Sequence, residues 1–217
     1  DLIRKVEDVE VSVMTTPLIT KADGTKFGKS EGGAVWLNPD MLSPYAFYQF
    51  WLNVDDADVV RFLKVFTFLD RPQIERFEKT VEDAPYKREA QKALAAEVTK
   101  LVHGEETLQR VLEATDALWG SGDLKKVDAA TLSAATSELP AGEVAFGEAT
   151  IVDALVAAGL EKGKRAARTT VSSGGAYLNN ERVESENQII SAEDALADGT
   201  VLIRKGRRNL AVVRPAK

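Results

Sequence analysis

The sequence contains no cysteine and a single histidine, His103, in 217 residues. Disulfides and thiolate metal sites are therefore excluded, and one imidazole cannot build a multi-histidine metal site. No apolar run approaches the roughly 20 residues that span a bilayer, and residues 1–5 lack a signal-peptide pattern. These absences favour a cytosolic protein with no membrane segment, in which any metal is held by carboxylates or by a substrate.

Basic residues are fewer than acidic ones, and their distribution along the chain is uneven. The formal net charge is -6, with 28 Lys+Arg against 34 Asp+Glu. Residues 161–217 carry 11 Lys+Arg and 7 Asp+Glu, a balance of +4, which leaves 17 against 27, or -10, for residues 1–160. A basic end on an acidic body indicates an appended nucleic-acid-binding module, because phosphate contacts supply most non-specific affinity. A solvated basic tail is the alternative.

A segment rich in glycine and lysine, residues 20–33, contains no large aliphatic residue and predicts a mobile loop. Lysine point charges and backbone amides freed by glycine suit phosphoryl or nucleotidyl chemistry, in which negative charge develops. The spacing of a phosphate-binding P-loop is not met, because Gly24 lies four residues before Gly28 instead of five. A solvated surface loop is therefore the alternative interpretation.

Residues 17–37 and the run Ser43-Pro44-Tyr45-Ala46-Phe47-Tyr48-Gln49-Phe50-Trp51 closely resemble bacterial tyrosyl-tRNA synthetase around its Lys-Met-Ser-Lys-Ser-type signature. The signature reads Lys-Phe-Gly-Lys-Ser here, a variant usual for that family. The resemblance implies that the loop closes over ATP, which arrives with Mg²⁺, through Lys26, Phe27, Gly28, Lys29 and Ser30. It also implies a catalytic role for Lys26 and Lys29, which would stabilise the departing pyrophosphate.

The first residues predict the end of a larger domain. Residues 2–6 have the apolar spacing of a helix, residues 9–13 alternate as in a strand, and the chain starts without an initiator Met. The resemblance implies that residues 1–40 are a remnant of an α/β catalytic domain. It also implies that a paired-histidine signature and the tyrosine pocket lie in an upstream half, so the chain alone is not expected to activate tyrosine.

Helical spacing predicts an all-helical domain over residues 41–138. Ser43 can accept a hydrogen bond as N-cap, and Pro44 suits the first helical position. The helix that begins at Pro44 carries a wide aromatic face. We interpret this face as part of the core and not as a base-stacking platform. The next helix, capped near Asn53 or Asp55, is expected to turn three polar residues to solvent: Asp58, Arg61 and Lys64.

Further helices are expected over residues 73–81, 87–102, 105–119 and 128–137, with Arg71-Pro72 breaking the chain before the first of them. His103-Gly104 ends one of these helices. We interpret His103 as structural, because the sequence supplies no nearby partners for a catalytic base. The resemblance implies that this domain contacts the tRNA anticodon.

A linker is expected over residues 139–147, followed by a small domain over residues 148–217. The pattern predicts an amphipathic helix over 148–158, a basic helix, a glycine break and two strands joined at Asn179-Asn180. This unit resembles the RNA-binding domain first described in a ribosomal small-subunit protein and appended to bacterial tyrosyl-tRNA synthetases. It departs from that pattern at Gly163, commonly serine, and at Asn180, commonly glycine.

The second resemblance implies a set of cations that face RNA phosphates: Lys162, Lys164, Arg165, Arg168, Lys205, Arg207 and Arg208. Such contacts position RNA without reading its bases. Some of these side chains could instead only solvate the surface.

The predicted fold class is mainly α with a small α+β C-terminal domain, preceded by the remnant of an α/β catalytic domain. The predicted function is that of a tyrosine–tRNA ligase, of which this chain supplies the tRNA-binding C-terminal portion; a terminal domain of this kind argues against the related tryptophan enzyme. Expected partners are tRNA-Tyr, ATP and tyrosine, with no protein-bound metal. A homodimer is expected for the full-length enzyme through its catalytic domain, so this portion alone can be monomeric. The alternative is a stand-alone RNA-binding adaptor, which would leave residues 26–30 without a role.

Overall fold

The computed structural model describes residues 2–16, 18–27, 35–119, 122–137, 139–206 and 209–216. The helical part comprises α1 (Leu2–Glu7), α2 (Pro44–Leu52), α3 (Asp56–Phe66), α4 (Arg71–Asp83), α5 (Glu89–His103), α6 (Glu105–Trp119) and α7 (Ala129–Thr136). The C-terminal part comprises β1 (Ala141–Val144), α8 (Ile151–Ala157), α9 (Lys164–Ser172), β2 (Ala176–Leu178), β3 (Glu181–Arg182), β4 (Val201–Lys205) and β5 (Asn209–Pro215). This order confirms a mainly α chain with a small α+β C-terminal domain.

Helix α5 lies at the centre of the helical domain, where it contacts α2, α3, α4 and α6. Its alanines permit this close approach, since Ala90 and Ala95 are buried against the neighbouring helices. The aromatic side chains of α2 enter the same core, which confirms that they pack and do not form an exposed platform. The buried members are Tyr45, Phe47, Tyr48 and Trp51.

The helix starts are set by short-range signals. The Ser43 hydroxyl accepts from the Ala46 amide at 3.1 Å, and Pro44 is the first residue of α2, as predicted. The prediction that Arg71-Pro72 lies outside the next helix is wrong. Asp70 and Gln73 form a reciprocal capping box, and Pro72 occupies the first turn, where its missing N–H costs nothing.

The segment before α2 is largely irregular. Residues 2–7 are helical, as predicted, but residues 8–16 form no strand and the side chains from Val9 to Val13 are exposed. A strand needs a neighbour that accepts its backbone hydrogen bonds, and no other described segment pairs with this one. The predicted strand over residues 9–13 is therefore wrong.

His103 ends α5 and is half-buried against the core. Its ring meets the ring of Phe47 edge-on with centroids 4.9 Å apart, and Gly104 follows with φ +86°, which a glycine reaches without strain. Burial lowers the pKa of His103, and its Nε2 atom finds no hydrogen-bond partner among the described residues. A neutral, packed imidazole supports the structural interpretation.

The C-terminal domain contains a five-stranded sheet in the order β1-β5-β4-β2-β3. Strand β1 runs parallel to β5, with Ala141 opposite Val212, and the other neighbours are antiparallel. The linker expected over residues 139–147 is interrupted here, because four of its residues form β1. The predicted hairpin at Asn179-Asn180 is confirmed, and both asparagines adopt positive φ.

The sheet separates two cores. On one face, alternate residues of β4 and β5 pack with α8 and α9: Val201, Ile203, Ala211 and Val213. On the other face, Leu202, Leu210 and Val212 belong to the core of the helical domain. The Asn180 Nδ2 atom also donates to the Ala117 carbonyl at 2.6 Å, near the end of α6, where carbonyls lack helical partners.

Candidate nucleotide loop and nucleic-acid interface

The lysine-bearing segment begins as a short hairpin in its described part, residues 18–27. Thr20 and Lys26 face each other in an antiparallel bridge. The Phe27 amide donates to the Ile19 carbonyl at 3.1 Å, and the Lys21 amide donates to the Thr25 carbonyl at 2.8 Å. The backbone around Lys26 is therefore paired, although its side chain is exposed.

The tip of the hairpin is a tight turn. Gly24 adopts φ +83°, which a glycine reaches without strain. The Asp23 carboxylate accepts from the Thr25 amide at 2.9 Å and from the Thr25 hydroxyl at 2.6 Å. The hydroxyl and amide donors of Thr25 lower the pKa of Asp23, so this carboxylate is charged near neutral pH.

Phe27, the aromatic residue of the predicted signature, packs against the helical domain. Its ring centroid lies 4.7 Å from that of Phe62, and 5.4 Å from those of Trp51 and Phe66. A free surface loop would not make these contacts. The described part of the segment is therefore anchored, which differs from the mobile loop that its composition predicts, because an aromatic ring on a paired strand finds an apolar surface on α2 and α3.

Two polar side chains of α3 also reach the hairpin. Asp58 accepts from the Ala22 amide at 2.7 Å, and Arg61 donates to the Thr20 carbonyl at 3.2 Å. The prediction that Asp58 faces solvent is wrong, since only 4% of this residue is exposed. Its partner lies far away in sequence, and helical spacing alone gives no sign of it.

A cavity of about 510 Å³ opens between the hairpin and the helices α2, α3 and α7. Phe27, Phe50 and Phe62 form part of its apolar wall. Lys21, Gln49 and Asn53 supply polar groups.

The remaining predicted nucleotide-binding residues, Gly28, Lys29 and Ser30, lie outside the described residues, so of the two predicted catalytic lysines the structure places only Lys26. No group of three or more His, Cys, Asp or Glu side chains that could hold a metal is found within the described ranges. No helix in that part of the chain is long and apolar enough to cross a membrane.

Four of the predicted RNA-facing cations lie on α9 or just before it: Lys162, Lys164, Arg165 and Arg168. Lys164 pairs with Asp153 at 2.8 Å, and Arg168 lies 3.8 Å from Glu186. Lys162 and Arg165 are exposed and make no ion pair with any described residue. Among the members of the set that the structure describes, these two side chains are therefore the cations whose charge is least compensated by described residues.

Lys205 is held within the domain. Its ammonium lies 2.9 Å from the carboxylate of Glu161, of which 8% of the side chain is exposed, and it donates to the Leu160 carbonyl at 3.3 Å. Glu161 also accepts from the Thr170 hydroxyl, and this bond, followed by Lys205, lowers the pKa of Glu161. Lys205 thus joins β4 to the connection between α8 and α9, and Glu161 links that connection to α9 through Thr170. Arg207 and Arg208 lie outside the described residues.

Sequence reasoning missed the acidic partners of these cations. Asp153 is part of a capping box, Thr150-x-x-Asp153, that opens α8 and is visible as a sequence pattern. No short-range signal identifies Glu161 or Glu186 as partners. Sequence reasoning also missed Arg204, whose guanidinium lies 4.0 Å from the ring centroid of Tyr177.

A pH-dependent stabilisation is expected at Asp153. The hydrogen bond from Lys164 and those from Thr150 lower the pKa of Asp153 from 3.8 to about 2. The stabilisation is present above about pH 4 and is lost as the pH falls towards 2. Because the Lys164 ammonium is largely exposed, we expect Asp153→Asn to lower the free energy of unfolding by about 1 kcal/mol at pH 7.

Urea unfolding of both proteins at pH 7 and near pH 2 measures this difference. The deficit of Asp153→Asn should shrink at the lower pH, where the wild-type carboxylate is protonated as well. The asparagine keeps an acceptor for the Thr150 amide, so the variant isolates the charge. A deficit that is the same at both pH values would contradict the charge-based account.

A family model described as tRNA synthetases class I (W and Y) matches residues 1–120. Because this match covers more than half of the sequence, the chain belongs to that family. A second model, described as the tyrosine–tRNA ligase SYY-like C-terminal domain, matches residues 131–213. The paired matches agree with the order of the helical and C-terminal parts and favour the tyrosine branch.

Two curated relatives extend the comparison. The chain is 50% identical over 214 residues to a tyrosine–tRNA ligase of Streptomyces avermitilis, covering 98% of this chain and 50% of the relative. It is 45% identical over 217 residues to the tyrosine–tRNA ligase of Geobacillus kaustophilus, covering 100% of this chain and 52% of the relative. The chain therefore spans about half the length of the curated relatives it matches.

Among solved structures, a tyrosyl-tRNA synthetase C-terminal domain in solution is 31% identical, with a TM-score of 0.37. The matched region covers 44% of this chain and 97% of the solved domain.

Proposed function

We propose that this chain is the portion of a tyrosine–tRNA ligase that carries the signature lysines and binds tRNA-Tyr. The observation that carries the proposal is the hairpin: Lys26 is exposed on a paired strand that packs against a helical domain. The family match over residues 1–120 and the tyrosine-type match over residues 131–213 support the same conclusion. The proposed ligase acts in the cytoplasm and is a homodimer at full length.

The proposed reaction has two steps. A tyrosine carboxylate oxygen attacks the α-phosphorus of ATP, which releases pyrophosphate and gives tyrosyl-adenylate. A hydroxyl of the terminal tRNA ribose then attacks the tyrosyl carbonyl, and AMP leaves. No protein nucleophile is needed, so catalysis rests on positioning and on the stabilisation of phosphate charge.

Lys26 and Lys29 are assigned to the developing charge on pyrophosphate. Each supplies a compact positive charge that can follow the leaving group on a flexible stem. Mg²⁺ is proposed to arrive with ATP and to screen the phosphate oxygens. For the chain by itself we expect no tyrosine-dependent pyrophosphate exchange, and a positive exchange assay would contradict the assignment of the tyrosine pocket to another part of the enzyme.

The C-terminal domain is assigned to the tRNA backbone through Lys162 and Arg165, the two cations near the start of α9 that form no ion pair with any described residue. We expect the double variant Lys162→Glu/Arg165→Glu to bind tRNA at least tenfold more weakly. The slope of log affinity against log salt should fall by about one unit for each phosphate that the protein no longer neutralises. Filter binding of a tRNA-Tyr transcript at several salt concentrations measures both quantities.

Arg214→Glu provides the matched control. Arg214 is exposed and follows Val213 on β5, so its side chain alternates to the sheet face away from α9. A single charge reversal of the same kind at this position should leave the salt slope almost unaltered. Equal losses in both proteins would show a general charge effect and would contradict an RNA interface on α9.

A further inference from the structure

The hairpin is attached to the helical domain through two polar side chains on one face of α3. Asp58 and Arg61 are three residues apart, so they are neighbours on the helix surface. Asp58 accepts from the Ala22 amide near the tip of the hairpin, at 2.7 Å, and Arg61 donates to the Thr20 carbonyl on the first strand, at 3.2 Å. One helical turn thus holds the hairpin at two points, one on its first strand and one near its tip.

Burying the Asp58 side chain at this position carries a free-energy cost. It is 4% exposed, and a buried carboxylate is costly unless hydrogen bonds replace its water. Two features offset that cost: the Ala22 amide donates to it, and it lies in the first turn of α3, where the helix dipole favours negative charge. An apolar residue at position 58 would satisfy the packing of α3 equally well. The presence of a carboxylate there is therefore explained by its hydrogen bond with the hairpin.

The other strand of the hairpin is held by packing. Phe27 follows Lys26 directly, and its ring is surrounded by the rings of Phe62, Trp51 and Phe66. Lys26 is therefore bridged through its backbone to Thr20, whose carbonyl accepts from Arg61, and it is followed directly by an aromatic anchor in the core. Its main chain is fixed while its side chain extends into solvent.

We propose that Asp58 and Arg61 are positioning residues for Lys26, and that through them α3 sets the place from which this ammonium meets the phosphates of ATP. The inference rests on the proposed function, because it deepens the role given there to Lys26. Catalytic groups must be held within a fraction of an ångström to be effective, and residues that lock their backbone achieve this. The helical domain then governs the nucleotide chemistry without touching ATP.

The contact itself can be tested on the 217-residue chain, independently of any activity. In Asp58→Ala the Ala22 amide loses its acceptor, and we expect its hydrogen exchange to accelerate at least tenfold. Asp58→Asn keeps an acceptor oxygen and should protect this amide within about threefold of the wild type. An Ala22 exchange rate that is unchanged in Asp58→Ala would overturn the contact and with it the proposal.

The positioning role can be tested in the full-length ligase by tyrosine-dependent pyrophosphate exchange. We expect Asp58→Ala to lower kcat at least tenfold with the KM for tyrosine changed less than twofold. Asp58→Asn should recover most of the loss, and Arg61→Gln, at an exposed residue where folding is preserved, should lower kcat about threefold. A faster Ala22 exchange with an unaltered kcat would show a merely structural bond and overturn the proposal.

Asp55→Ala is the matched control. Asp55 lies one turn before Asp58, precedes α3 and makes no side-chain capping bond to that helix. Its replacement should leave both Ala22 exchange and kcat near wild type, and a loss equal to that of Asp58→Ala would overturn the specific role of Asp58. Failure of the proposed function is distinguishable, because a wild-type full-length protein without tyrosine-dependent exchange would refute it while the amide-exchange result still stands.

Discussion

In the full-length ligase, Lys26→Ala is expected to slow the formation of tyrosyl-adenylate by about 100- to 1,000-fold, the loss typical of removing one preorganised charge from a transition state. The affinity for tyrosine should change less than twofold, because Lys26 is assigned to charge that develops on pyrophosphate and not to the amino acid. Lys29→Ala is expected to behave in the same way. Single-turnover kinetics with saturating ATP, combined with equilibrium tyrosine binding, separate the two quantities.

Lys21→Ala is the control for Lys26→Ala. Lys21 lies on the opposite strand of the same hairpin and lines the cavity beside α2, so its loss removes an equal charge from nearly the same place. We expect a change below threefold in the rate of adenylate formation. Equal effects of Lys26→Ala on the rate and on tyrosine affinity would contradict a role confined to the transition state.

The sequence predicts local structure well where the signal is local. Ser43 and Pro44 define the start of α2 because a hydroxyl acceptor and a fixed φ act within one turn. The asparagines at 179 and 180 define the hairpin between β2 and β3 because both tolerate positive φ. The limits of α6, residues 105–119, follow from apolar spacing between the glycines at positions 104 and 120 of the sequence.

Prediction fails where a distant partner decides the outcome. Asp58 reads as a surface residue of α3 until the Ala22 amide, far earlier in the chain, is brought against it. From the sequence, the segment around Gly142 is interpreted as a linker, because it is a short run that contains proline and the small residues alanine and glycine. In the structure it forms β1 beside β5, so close to α8 that a Cβ on Gly142 would lie 2.5 Å from the Ala157 carbonyl carbon.

The candidate RNA surface shows the same division. The excess of Lys and Arg in the last part of the chain is visible from composition, and it points to α9. Composition does not show which cations lack an ion-pair partner, because the pairs form only when Asp153, Glu161 and Glu186 come close to them in the folded chain. Only the geometry separates Lys162 and Arg165, which stay unpaired by described residues, from Lys164 and Lys205.

The aromatic core that supports the hairpin is expected to dominate the stability of the helical domain. Phe62 is 1% exposed, and its ring meets those of Phe27, Trp51 and Phe66. Phe62→Ala leaves a cavity that these rigid rings fill poorly, so we expect the free energy of unfolding to fall by about 3–5 kcal/mol. Urea unfolding followed by tryptophan fluorescence measures it, because all three tryptophans lie between residues 36 and 119.

Phe68→Ala is a control of identical chemistry. Phe68 lies in the connection between α3 and α4 and is 89% exposed, so its removal should change the free energy of unfolding by less than about 0.5 kcal/mol. If both substitutions cost the same, the burial assigned to Phe62 is wrong. If only Phe62→Ala lowers the free energy of unfolding, the same variant should also show faster hydrogen exchange of the Phe27 amide. The Phe27 ring, which anchors Lys26, then loses the Phe62 ring whose centroid lies 4.7 Å away.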